Sequence, residues 1–512
     1  MTDEGSQVPD GADGEVAAGD ERSRRLAKLD ALRAAGVDPY PLRFDRTHTT
    51  AELHEHWGHL DDGVETEDTV RVAGRVLLLR RQGKLTFATL RDASGSVQLF
   101  VSRAVLGDGA HEAFDDLDLG DWVGVEGTVM RTRKGELSVK AASFMLLAKS
   151  LRPLPEKWHG LTDTDTRFRQ RYVDLIANDD ARRVFAIRFE VIATLRRLLA
   201  ERGFVEVETP VLHVQAGGAA ARPFETHHNA LDMGLTLRIA LELHLKRLLV
   251  GGLERVFEIG RVFRNEGLST RHNPEFTMLE LYQAFGDYTD MMSLTETLVS
   301  ECARVVNDST TVVVDGTSVD LAPPWPRRPM LELIEEHSGE RVHPADALED
   351  VQAACDRHEV PYEATWGAGK LVLELYEKCV EPNLVQPVFV TDYPKEVSPL
   401  ARTHRDDAAL VERFEPVILG RELGNAFSEL NDPIDQRSRF EAQAALAAAG
   451  DLEAHGVDED YVRALEYGLP PCGGLGIGVD RLVMLVAGVS SIREVILFPH
   501  LRPEMGQSGS KD

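Results

Sequence analysis

The stretch FRNEGLSTRHNPEF, from Phe263 to Phe276, carries the residues that decide the fold of this chain. Strand-like runs flank it, Arg255 to Phe263 before it and Phe276 to Leu281 after it. A polar hairpin loop would explain its Asn, Gly and Asn-Pro turn residues. It would not explain why Arg264 and Glu266 stand one residue apart between two strands.

The charged residues of this stretch and its last aromatic residue suit a nucleotide. The guanidinium fork of Arg264 matches phosphate oxygens, and Glu266 can accept a hydrogen bond from an adenine amino group. Arg271 and His272 add cationic donors, and Phe276 offers a ring for stacking on a base. The stretch therefore predicts an ATP-binding segment.

A second segment, GLGIGVDRLVML from Gly474 to Leu485, predicts a glycine-rich stretch that leads into a helix beginning near Arg481. Glycines let the backbone come close to a ligand, and the N–H groups at a helix start favour phosphate. A dinucleotide-binding fold is excluded because no strand–helix–strand unit with a distal acid follows. Arg264 and Arg481 are therefore predicted to clamp the α- and γ-phosphates of one ATP and to be the catalytic residues.

With these segments the chain resembles the class II aminoacyl-tRNA synthetases, whose three motifs occur here in order. GFVEVETP from Gly203 to Pro210 is similar to the first motif, FRNEG with HNPEF to the second, and GIGVDR to the third. Further segments resemble the lysyl branch of bacterial type: GGAAARPF from Gly217, THHNALDM from Thr226, LKRLLVGGLERVFEIGRVFRNEG from Leu245 and GRELGNAFSELND from Gly420. The resemblance covers roughly residues 71–503.

The resemblance implies an α+β fold and a two-step ligase reaction. A five-stranded OB-fold β-barrel that binds the anticodon would precede a catalytic domain with a mostly antiparallel sheet flanked by helices. The implied substrates are ATP, L-lysine and lysine tRNA, and the first motif would build a homodimer. Two rivals share much of this pattern: a paralogue that uses lysyl-adenylate for another acceptor, and a non-catalytic tRNA-binding regulator. The OB segment disfavours the paralogue. The retained Arg264 and Arg481, with Glu415 and Glu422 as the implied magnesium ligands, disfavour the regulator.

Lysine specificity is expected from carboxylates, because a buried ammonium that lacks a counter-charge is very costly. The resemblance puts Glu242 and Glu429 on the side-chain ammonium, with Tyr282 supporting them. Aspartyl and asparaginyl enzymes would need cationic or amide groups there. The complete set implied for lysine is Gly218, Glu242, Arg264, Glu280, Tyr282, Asn425, Glu429 and Gly478.

Glu415 and Glu422 match the family's ligands for two or three Mg²⁺ ions that bind with ATP. Magnesium prefers one or two carboxylates together with phosphate oxygens and water. The alternative interpretation is two unrelated charges on a surface strand, and the RFE and GRE contexts favour the metal.

Hydropathy alternates in five short runs between residues 70 and 144, which predicts the strands of an OB barrel. Six basic residues and no acidic one lie between positions 71 and 91, which favours a nucleic-acid face despite the formal net charge of −28. Phe87 is the predicted base-stacking residue, and Gln98 and Glu136 are the predicted readers of base edges. Arg80 and Arg81 complete the predicted anticodon site.

Composition predicts a soluble cytoplasmic enzyme, because no apolar run approaches the roughly 20 residues of a membrane helix and the four cysteines are widely spaced. We predict an acidic disordered tail over 1–21, a helical extension over 22–66, the barrel over 67–150 and a linker over 151–165. The catalytic domain is predicted over 166–505, with a helical insertion near 329–383, and a disordered tail over 506–512.

One departure from the common family pattern lies beside the predicted lysine site. Many members read Ala-Pro-Glu-Leu-Tyr, whereas this chain has Ala240-Leu241-Glu242-Leu243-His244. The loss of a proline frees the preceding backbone, and a histidine can become cationic. Tolerated variation is one interpretation, and an altered tolerance of lysine analogues is the other.

Overall fold

The computed structural model describes residues 12–155, 161–448 and 456–503. The chain divides into two compact units, Met1–Gly160 and Leu161–Asp512. The predicted linker over 151–165 spans this division, and its residues 156–160 lie outside the described part.

The first unit is built around a closed barrel with strand order β1-β2-β3-β5-β4. Its elements are α1 Ala12–Ala34, α2 Thr50–Trp57, β1 Glu65–Gln82, β2 Leu85–Arg91, β3 Ser96–Ser102, α3 Arg103–Leu106, α4 Asp108–Asp115, β4 Trp122–Arg131 and β5 Leu137–Ala148. The prediction of a five-stranded OB barrel is confirmed. Alternate residues of each strand fill the interior of the barrel, as Val70, Val72 and Val76 of β1 do.

The long strand β1 pairs with β4 through its first half and with β2 through its second half. Gly74 lies where the two pairings meet. A Cβ atom at this position would stand 2.5 Å from the carbonyl oxygen of Arg91, so only glycine allows the two backbones to approach this closely.

The predicted disordered tail over 1–21 differs from the structure in its last ten positions. Helix α1 already begins at Ala12, and residues 1–11 lie outside the described part. Glu21 explains how the polar sequence supports a helix here, because it accepts hydrogen bonds from Arg24 and Arg25 one turn later. Arg24 also binds Asp118, which ties the helix to the barrel unit.

The second unit begins with helices and the first strands of a large sheet. These elements are α5 Thr164–Arg169, α6 Arg171–Ala177, α7 Asp179–Glu201, β6 Val205–Glu206, β7 Leu212–His213, β8 Glu225–His228, β9 Met233–Leu237, α8 Glu242–Val250, β10 Arg255–Phe263, β11 Glu275–Ala284 and α9 Tyr288–Asn307. The predicted strand Arg255 to Phe263 has the same bounds as β10.

The remaining elements are β12 Thr311–Val314, β13 Thr317–Asp320, β14 Arg327–Pro329, α10 Met330–Ser338, α11 Leu348–Arg357, α12 Ala368–Cys379, β15 Val388–Thr391, β16 Arg413–Val417, β17 Gly424–Ser428, α13 Pro433–Ala448, α14 Glu459–Glu466, β18 Cys472–Gly478, α15 Val479–Ala487 and α16 Ile492–Val495. Two 3-10 turns, Glu381–Asn383 and Lys395–Val397, flank β15. Helices α10 to α12 lie between β14 and β15 along the chain.

An eight-stranded sheet of order β14-β15-β16-β17-β18-β11-β10-β6 organises this unit. Its two outer pairs, β14 with β15 and β10 with β6, are parallel, and the pairs between them are antiparallel. The predicted α+β fold with a mostly antiparallel sheet is therefore confirmed.

Apolar side chains form two large clusters in this unit. One contains Leu279 and Leu281 of β11 with residues of α7, α9 and α15. The other contains Tyr282 of β11 and Val256 of β10 with residues of α8, α10, α11 and α12. The sheet is therefore covered by helices, and the polar groups described next lie among buried residues. Within the described ranges, no helix is long and apolar enough to cross a membrane.

Candidate active site

Five neighbouring strands of the large sheet bring most of the predicted catalytic-domain residues together. In sheet order, β16 carries Glu415, β17 carries Asn425 and β18 ends at Gly478. Next to them, β11 carries Glu280 and Tyr282. β10 ends one residue before Arg264, and Glu429 follows β17 directly.

Alternate glycines of β18 form the floor between the flanking strands. Gly476 is paired on one side with Glu280 of β11 and on the other with Asn425 of β17. Gly474 is paired in the same way with Tyr282 and Phe427. Residues two apart on a strand share one face of the sheet. Gly474 and Gly476 therefore leave β18 without side chains on the face where Glu280, Tyr282, Asn425 and Phe427 of the neighbouring strands have theirs. The glycine-rich stretch that the sequence predicted before the helix is thus a central strand of the sheet.

A buried lysine that the sequence analysis did not select binds two of the predicted carboxylates. The Nζ of Lys246 lies 2.5 Å from Oε1 of Glu242, one helical turn earlier in α8, and 2.5 Å from Oε2 of Glu429. The rings of Phe427 and Tyr461 have their centroids 5.6 Å from the same ammonium. The other oxygen of Glu429, Oε1, is buried and has no hydrogen-bond partner within the described residues.

This cluster contains more negative than positive charge. Glu242, Glu280 and Glu429 supply three carboxylates against the single ammonium of Lys246. Burial raises the pKa of Glu429 to about 8, and the neighbouring Glu242 and Glu280 add to the rise against the effect of Lys246. Burial would lower the pKa of Lys246, but Glu242 and Glu429 outweigh it and raise that pKa well above its ordinary value. The cluster can therefore accept further ammonium groups.

Glu280 is held by neutral donors. The backbone N–H of Leu241 donates to Oε1 at 3.0 Å, and the hydroxyl of Tyr282 donates to Oε2 at 3.3 Å. Tyr282 was predicted to support Glu242 and Glu429, and its hydrogen bond goes instead to Glu280. Burial raises the pKa of Glu280 to about 7.

Two glycines make room for these carboxylates. A Cβ atom at Gly474 would lie 2.0 Å from Oε1 of Glu429 and 2.5 Å from Cε1 of Tyr282. Gly218 has a φ of +87°, and a Cβ there would lie 3.1 Å from Cβ of Ala240 and 3.4 Å from Cβ of Glu242. The backbone at Gly218 therefore passes close to the start of α8, next to the carboxylate cluster.

Arg413, which was also missed, links the predicted lysine and metal residues. Its Nε donates to Oδ1 of Asn425 at 2.8 Å, and its Nη2 donates to Oε1 of Glu415 at 2.5 Å. The first bond fixes the amide of Asn425, so the NH₂ side is the one that can donate to a substrate carboxylate. Tyr393 supports Arg413 with its ring centroid 4.5 Å from Cζ.

Glu415 and Glu422 lie across the turn that joins β16 to β17. Burial raises the pKa of Glu415 to about 7, and the charge of Glu422 adds to the rise. Arg481, the third residue of α15, donates from Nη1 to the carbonyl oxygen of Glu422 at 2.7 Å and to Oε2 at 3.1 Å. No group of three or more His, Cys, Asp or Glu suited to a metal occurs in the described ranges, so the two carboxylates fit Mg²⁺ only if other oxygen ligands join them.

The stretch from Phe263 to Phe276 joins β10 to β11, as the hairpin interpretation predicted. Cζ of Arg264 lies 5.2 Å from the centroid of the Phe276 ring, so the predicted phosphate-binding and base-stacking residues are adjacent. Glu266, Arg271 and His272 are exposed on the loop. The Nδ1 of His272 lies 3.1 Å from Oγ of Ser269.

His244 points away from the carboxylate cluster. Its ring is 4.6 Å from that of His213, and residues two apart on a helix face different sides, so Glu242 and His244 do not share a face. Burial lowers the pKa of His244 to about 4, with further lowering by His213 and Arg247. Burial therefore disfavours the cationic form of His244 near neutral pH. Its effect on analogue tolerance stays a prediction.

In the barrel, the structure brings three of the predicted anticodon residues together. Arg80 is paired with Phe87 across β1 and β2, with Cζ 6.0 Å from the ring centroid. Arg80 donates to Oε1 of Gln98 at 3.2 Å, and Gln98 donates to Oγ of Ser138 at 2.9 Å. Phe100 packs edge-on against Phe87 with ring centroids 5.5 Å apart.

The other two predicted anticodon residues lie elsewhere on the barrel unit. Arg81 alternates to the opposite side of β1 and donates from Nε to the carbonyl oxygen of Asp115 at 2.9 Å. Glu136 is exposed in the β4–β5 hairpin, where its carbonyl accepts from the N–H of Thr132. The structure thus groups Arg80, Phe87 and Gln98 and leaves Arg81 bound to the main chain at the end of α4.

Comparison with known proteins identifies the family to which the chain is similar. The sequence profile described as tRNA synthetases class II (D, K and N) matches residues 163–502, and the profile described as OB-fold nucleic acid binding domain matches residues 70–147. The chain is 56% identical over 484 residues to the lysine–tRNA ligase of Synechococcus sp. (strain RCC307), covering 94% of this chain and 96% of that protein. It is 54% identical to the lysine–tRNA ligases of Moorella thermoacetica and Carboxydothermus hydrogenoformans, in each case covering 94% of this chain and 97% of the relative.

Proposed function

The chain belongs to the class II tRNA synthetases, and on that basis we propose that it is a lysyl-tRNA synthetase. It activates L-lysine with ATP to lysyl-adenylate and pyrophosphate and transfers the lysine to the 3′ end of its tRNA. The observation that carries this proposal is the buried cluster of Glu242, Glu280 and Glu429 around Lys246. The three carboxyl groups outnumber the single ammonium, and lysine brings two further ammonium groups that can pair with them.

Groups of opposite charge in the site bind the ammonium groups and the carboxylate of lysine. The carboxylate cluster receives the ammonium groups of lysine, with Oε1 of Glu429 as a ready acceptor. Arg264 and the amide of Asn425 meet the carboxylate of lysine. Phe276 stacks on the adenine, Arg264 meets the α-phosphate, and Arg481 meets the γ-phosphate.

In the first step an oxygen of the lysine carboxylate attacks the α-phosphorus, and the bond to the β-phosphate oxygen breaks to release pyrophosphate. Arg264 stabilises the charge that develops on the α-phosphate. In the second step a ribose hydroxyl of the tRNA attacks the carbonyl carbon of the adenylate, and AMP leaves. Positioning and electrostatics carry both steps, so no general base is assigned.

Glu415 and Glu422 are the residues that would hold Mg²⁺, which when bound neutralises charge on the ATP phosphates. The raised pKa of Glu415 beside Glu422 supports this role, because a cation relieves the repulsion between two adjacent carboxylates.

The barrel is proposed to bind the anticodon through Phe87 as a stacking surface, with Arg80 and Gln98 beside it and Glu136 at the hairpin. We further propose a cytoplasmic homodimer built through the first motif. Its strand β6 is the edge of the large sheet, and the exposed fractions of Val205 in β6 and Phe189 in α7 are 53% and 59%.

The test is amino-acid-dependent exchange between ATP and pyrophosphate with each of the twenty amino acids, followed by charging of lysine tRNA. Exchange with lysine alone together with charging supports the proposal. Exchange without charging would favour a paralogue that uses another acceptor, and a lack of exchange would favour a tRNA-binding regulator.

A further inference from the structure

The side-chain amide of Gln98 is held at both of its polar ends. Gln98 alternates along β3 with Val97 and Leu99, which fill the interior of the barrel, so its side chain lies on the outer face. Its Oε1 accepts a hydrogen bond from Nη2 of Arg80 at 3.2 Å, and its Nε2 donates to Oγ of Ser138 at 2.9 Å. Ser138 is fully buried, and Gln98 is 9% exposed. The amide is therefore restrained before any base reaches it.

The hydrogen bonds continue from Ser138 to the main chain. The hydroxyl of Ser138 donates to the carbonyl oxygen of Glu136 at 3.2 Å, and the same oxygen accepts from the N–H of Thr132 at 2.9 Å. A guanidinium can only donate and a carbonyl can only accept, so the two ends of this chain fix the direction of each hydrogen bond between them. The amide of Gln98 must therefore turn its oxygen to Arg80 and its nitrogen to Ser138.

This amide lies beside the predicted base-stacking surface. Phe87 is paired with Phe100 across β2 and β3, and Phe100 stands two residues from Gln98 on the same face of β3. Arg80 binds the amide oxygen while its Cζ lies 6.0 Å from the centroid of the Phe87 ring. On the other side, Gln98 is paired with Ser138 across β3 and β5. A base that stacks on Phe87 therefore has its edge near the amide of Gln98.

We propose that Ser138 is a positioning residue for the anticodon, because its hydroxyl fixes the orientation of the Gln98 amide and thereby sets which base the amide pairs with. This inference rests on the proposed function, in which Gln98 lies beside the base that stacks on Phe87. It deepens that function by adding a determinant of base selection. Each hydrogen bond of the chain uses one site of the amide, so one N–H of Nε2 and one lone pair of Oε1 remain for a base.

A fixed amide can distinguish uracil from cytosine. The Watson–Crick edge of uracil has a carbonyl next to an N–H, whereas cytosine has an amino group next to a bare nitrogen, so the donor and the acceptor are exchanged. An amide that pairs with one of these bases must rotate by half a turn to pair with the other. In this structure that rotation would bring the amide nitrogen of Gln98 against the donors of Arg80 and break both of its hydrogen bonds. The lysine codons AAA and AAG require uracil in the anticodon, so we expect the fixed orientation to suit uracil.

The test compares Ser138→Ala with Ser143→Ala as its matched control, since Ser143 lies on the same strand at an exposed position opposite Glu126. The kcat/KM of charging is measured with lysine tRNA and with transcripts in which one anticodon uracil at a time is replaced by cytosine. A bidentate contact discriminates between bases by about 5- to 150-fold. We therefore expect Ser138→Ala to reduce the preference for uracil at one anticodon position at least about fivefold. Ser143→Ala should change it less than about twofold, and lysine-dependent pyrophosphate exchange should change less than about twofold in both variants.

A Gln98→Ala background separates positioning from a general weakening of the barrel. Without the amide, Ser138→Ala should cause no further change in the preference for uracil, because its effect passes through Gln98. An equal change in both backgrounds would overturn the inference, as would an unchanged preference in Ser138→Ala alone. If Gln98→Ala itself leaves the preference unaltered, the proposed anticodon role of Gln98 fails together with the inference. An absence of lysine-dependent exchange in the wild type would instead overturn the proposed function as a whole.

Discussion

The Nζ of Lys246 lies 2.5 Å from Oε2 of Glu429, and neither side chain is exposed to solvent. The same ammonium binds Glu242 from the other side at 2.5 Å. Lys246 therefore holds the two carboxyl groups at a fixed separation. Oε1 of Glu429 has no hydrogen-bond partner in the part of the chain that the structure describes.

Replacing Lys246 should destabilise the catalytic unit. Lys246→Met leaves Glu242 and Glu429 buried without their counter-ion, and breaking a buried pair in this way typically costs about 3 to 5 kcal/mol. Denaturant unfolding of the ligand-free protein at pH 9, above the pKa of about 8 of Glu429, measures the change. Lys370→Met is the control, because Lys370 also forms an i,i+4 ion pair, with Glu374 and in the opposite order, at a part-exposed position of α12. We expect it to cost less than about 1 kcal/mol, and equal losses would contradict a special role for Lys246.

Gly474→Ala should disrupt lysine binding, because the new Cβ would stand 2.0 Å from Oε1 of Glu429 and must displace it. A displacement of about 1 Å in a catalytic site can reduce the rate about 10²-fold, and we expect a loss of that order in lysine-dependent exchange. Gly234→Ala is the control, since a Cβ there has no atom within 4 Å. Unchanged activity in Gly474→Ala would mean that Glu429 can move freely.

Arg264→Ala should reduce adenylate formation by at least about 10²-fold, as expected for the loss of a charge-stabilising donor in the transition state. Single-turnover formation of lysyl-adenylate measures the effect. Arg304→Ala removes an arginine that is 54% exposed and paired with Glu301, so it should leave the rate unchanged. A near-normal rate in Arg264→Ala would contradict the assignment.

Phe87→Ala should reduce charging of tRNA much more than pyrophosphate exchange. Stacking contributes about 1 to 3 kcal/mol per base, so kcat/KM for tRNA should fall about 5- to 150-fold. Trp122→Ala is the control within the same barrel, because Trp122 packs against Arg75 rather than beside Arg80. Equal losses in charging and exchange would argue against an anticodon role for Phe87.

The stability of the ligand-free protein should depend on the ionisation of Glu429. Its pKa of about 8 is above the ordinary value of 4.5, so the folded chain binds more protons than the unfolded chain between these pH values. The contribution of this group is complete below pH 4.5 and is lost as the pH rises through about 8. Relative to Glu429→Gln, the wild type should lose up to about 1.4 kcal/mol per pH unit over this window. Parallel pH profiles for the two proteins would contradict this prediction.

The fold could be predicted largely from local sequence patterns. The run Arg255 to Phe263 alternates as a strand and is β10, and five alternating runs between residues 70 and 144 form the barrel. The start of α1 was not predicted, because the acidic composition of residues 1–21 hides the pairing of Glu21 with Arg24 and Arg25. The alternate glycines of β18 were interpreted as an approach to a helix, since glycine weakens every strand signal.

The sequence predicted a set of residues for the site, but it did not predict the hydrogen bonds and ion pairs that link them. The motifs gave Glu242 and Glu429, but Lys246 is one lysine in the run LKRLL, where a solvated helix face is the ordinary expectation. A signal was available in its i,i+4 spacing from Glu242. Arg413 stands two residues before Glu415, and nothing in its sequence context indicates that it binds Asn425 as well.

By itself, the sequence determined the family, the order of the two units and the residue types of the site, because motif spacing and strand alternation are local properties of the chain. The tertiary structure alone decided that Lys246 meets Glu429 across 183 positions, that Gly476 separates Glu280 from Asn425, and that Arg80 faces Phe87 while Arg81 does not. These relationships depend on strand register and on helix orientation. Both are fixed by packing between distant segments, and the local pattern of the sequence does not contain that packing.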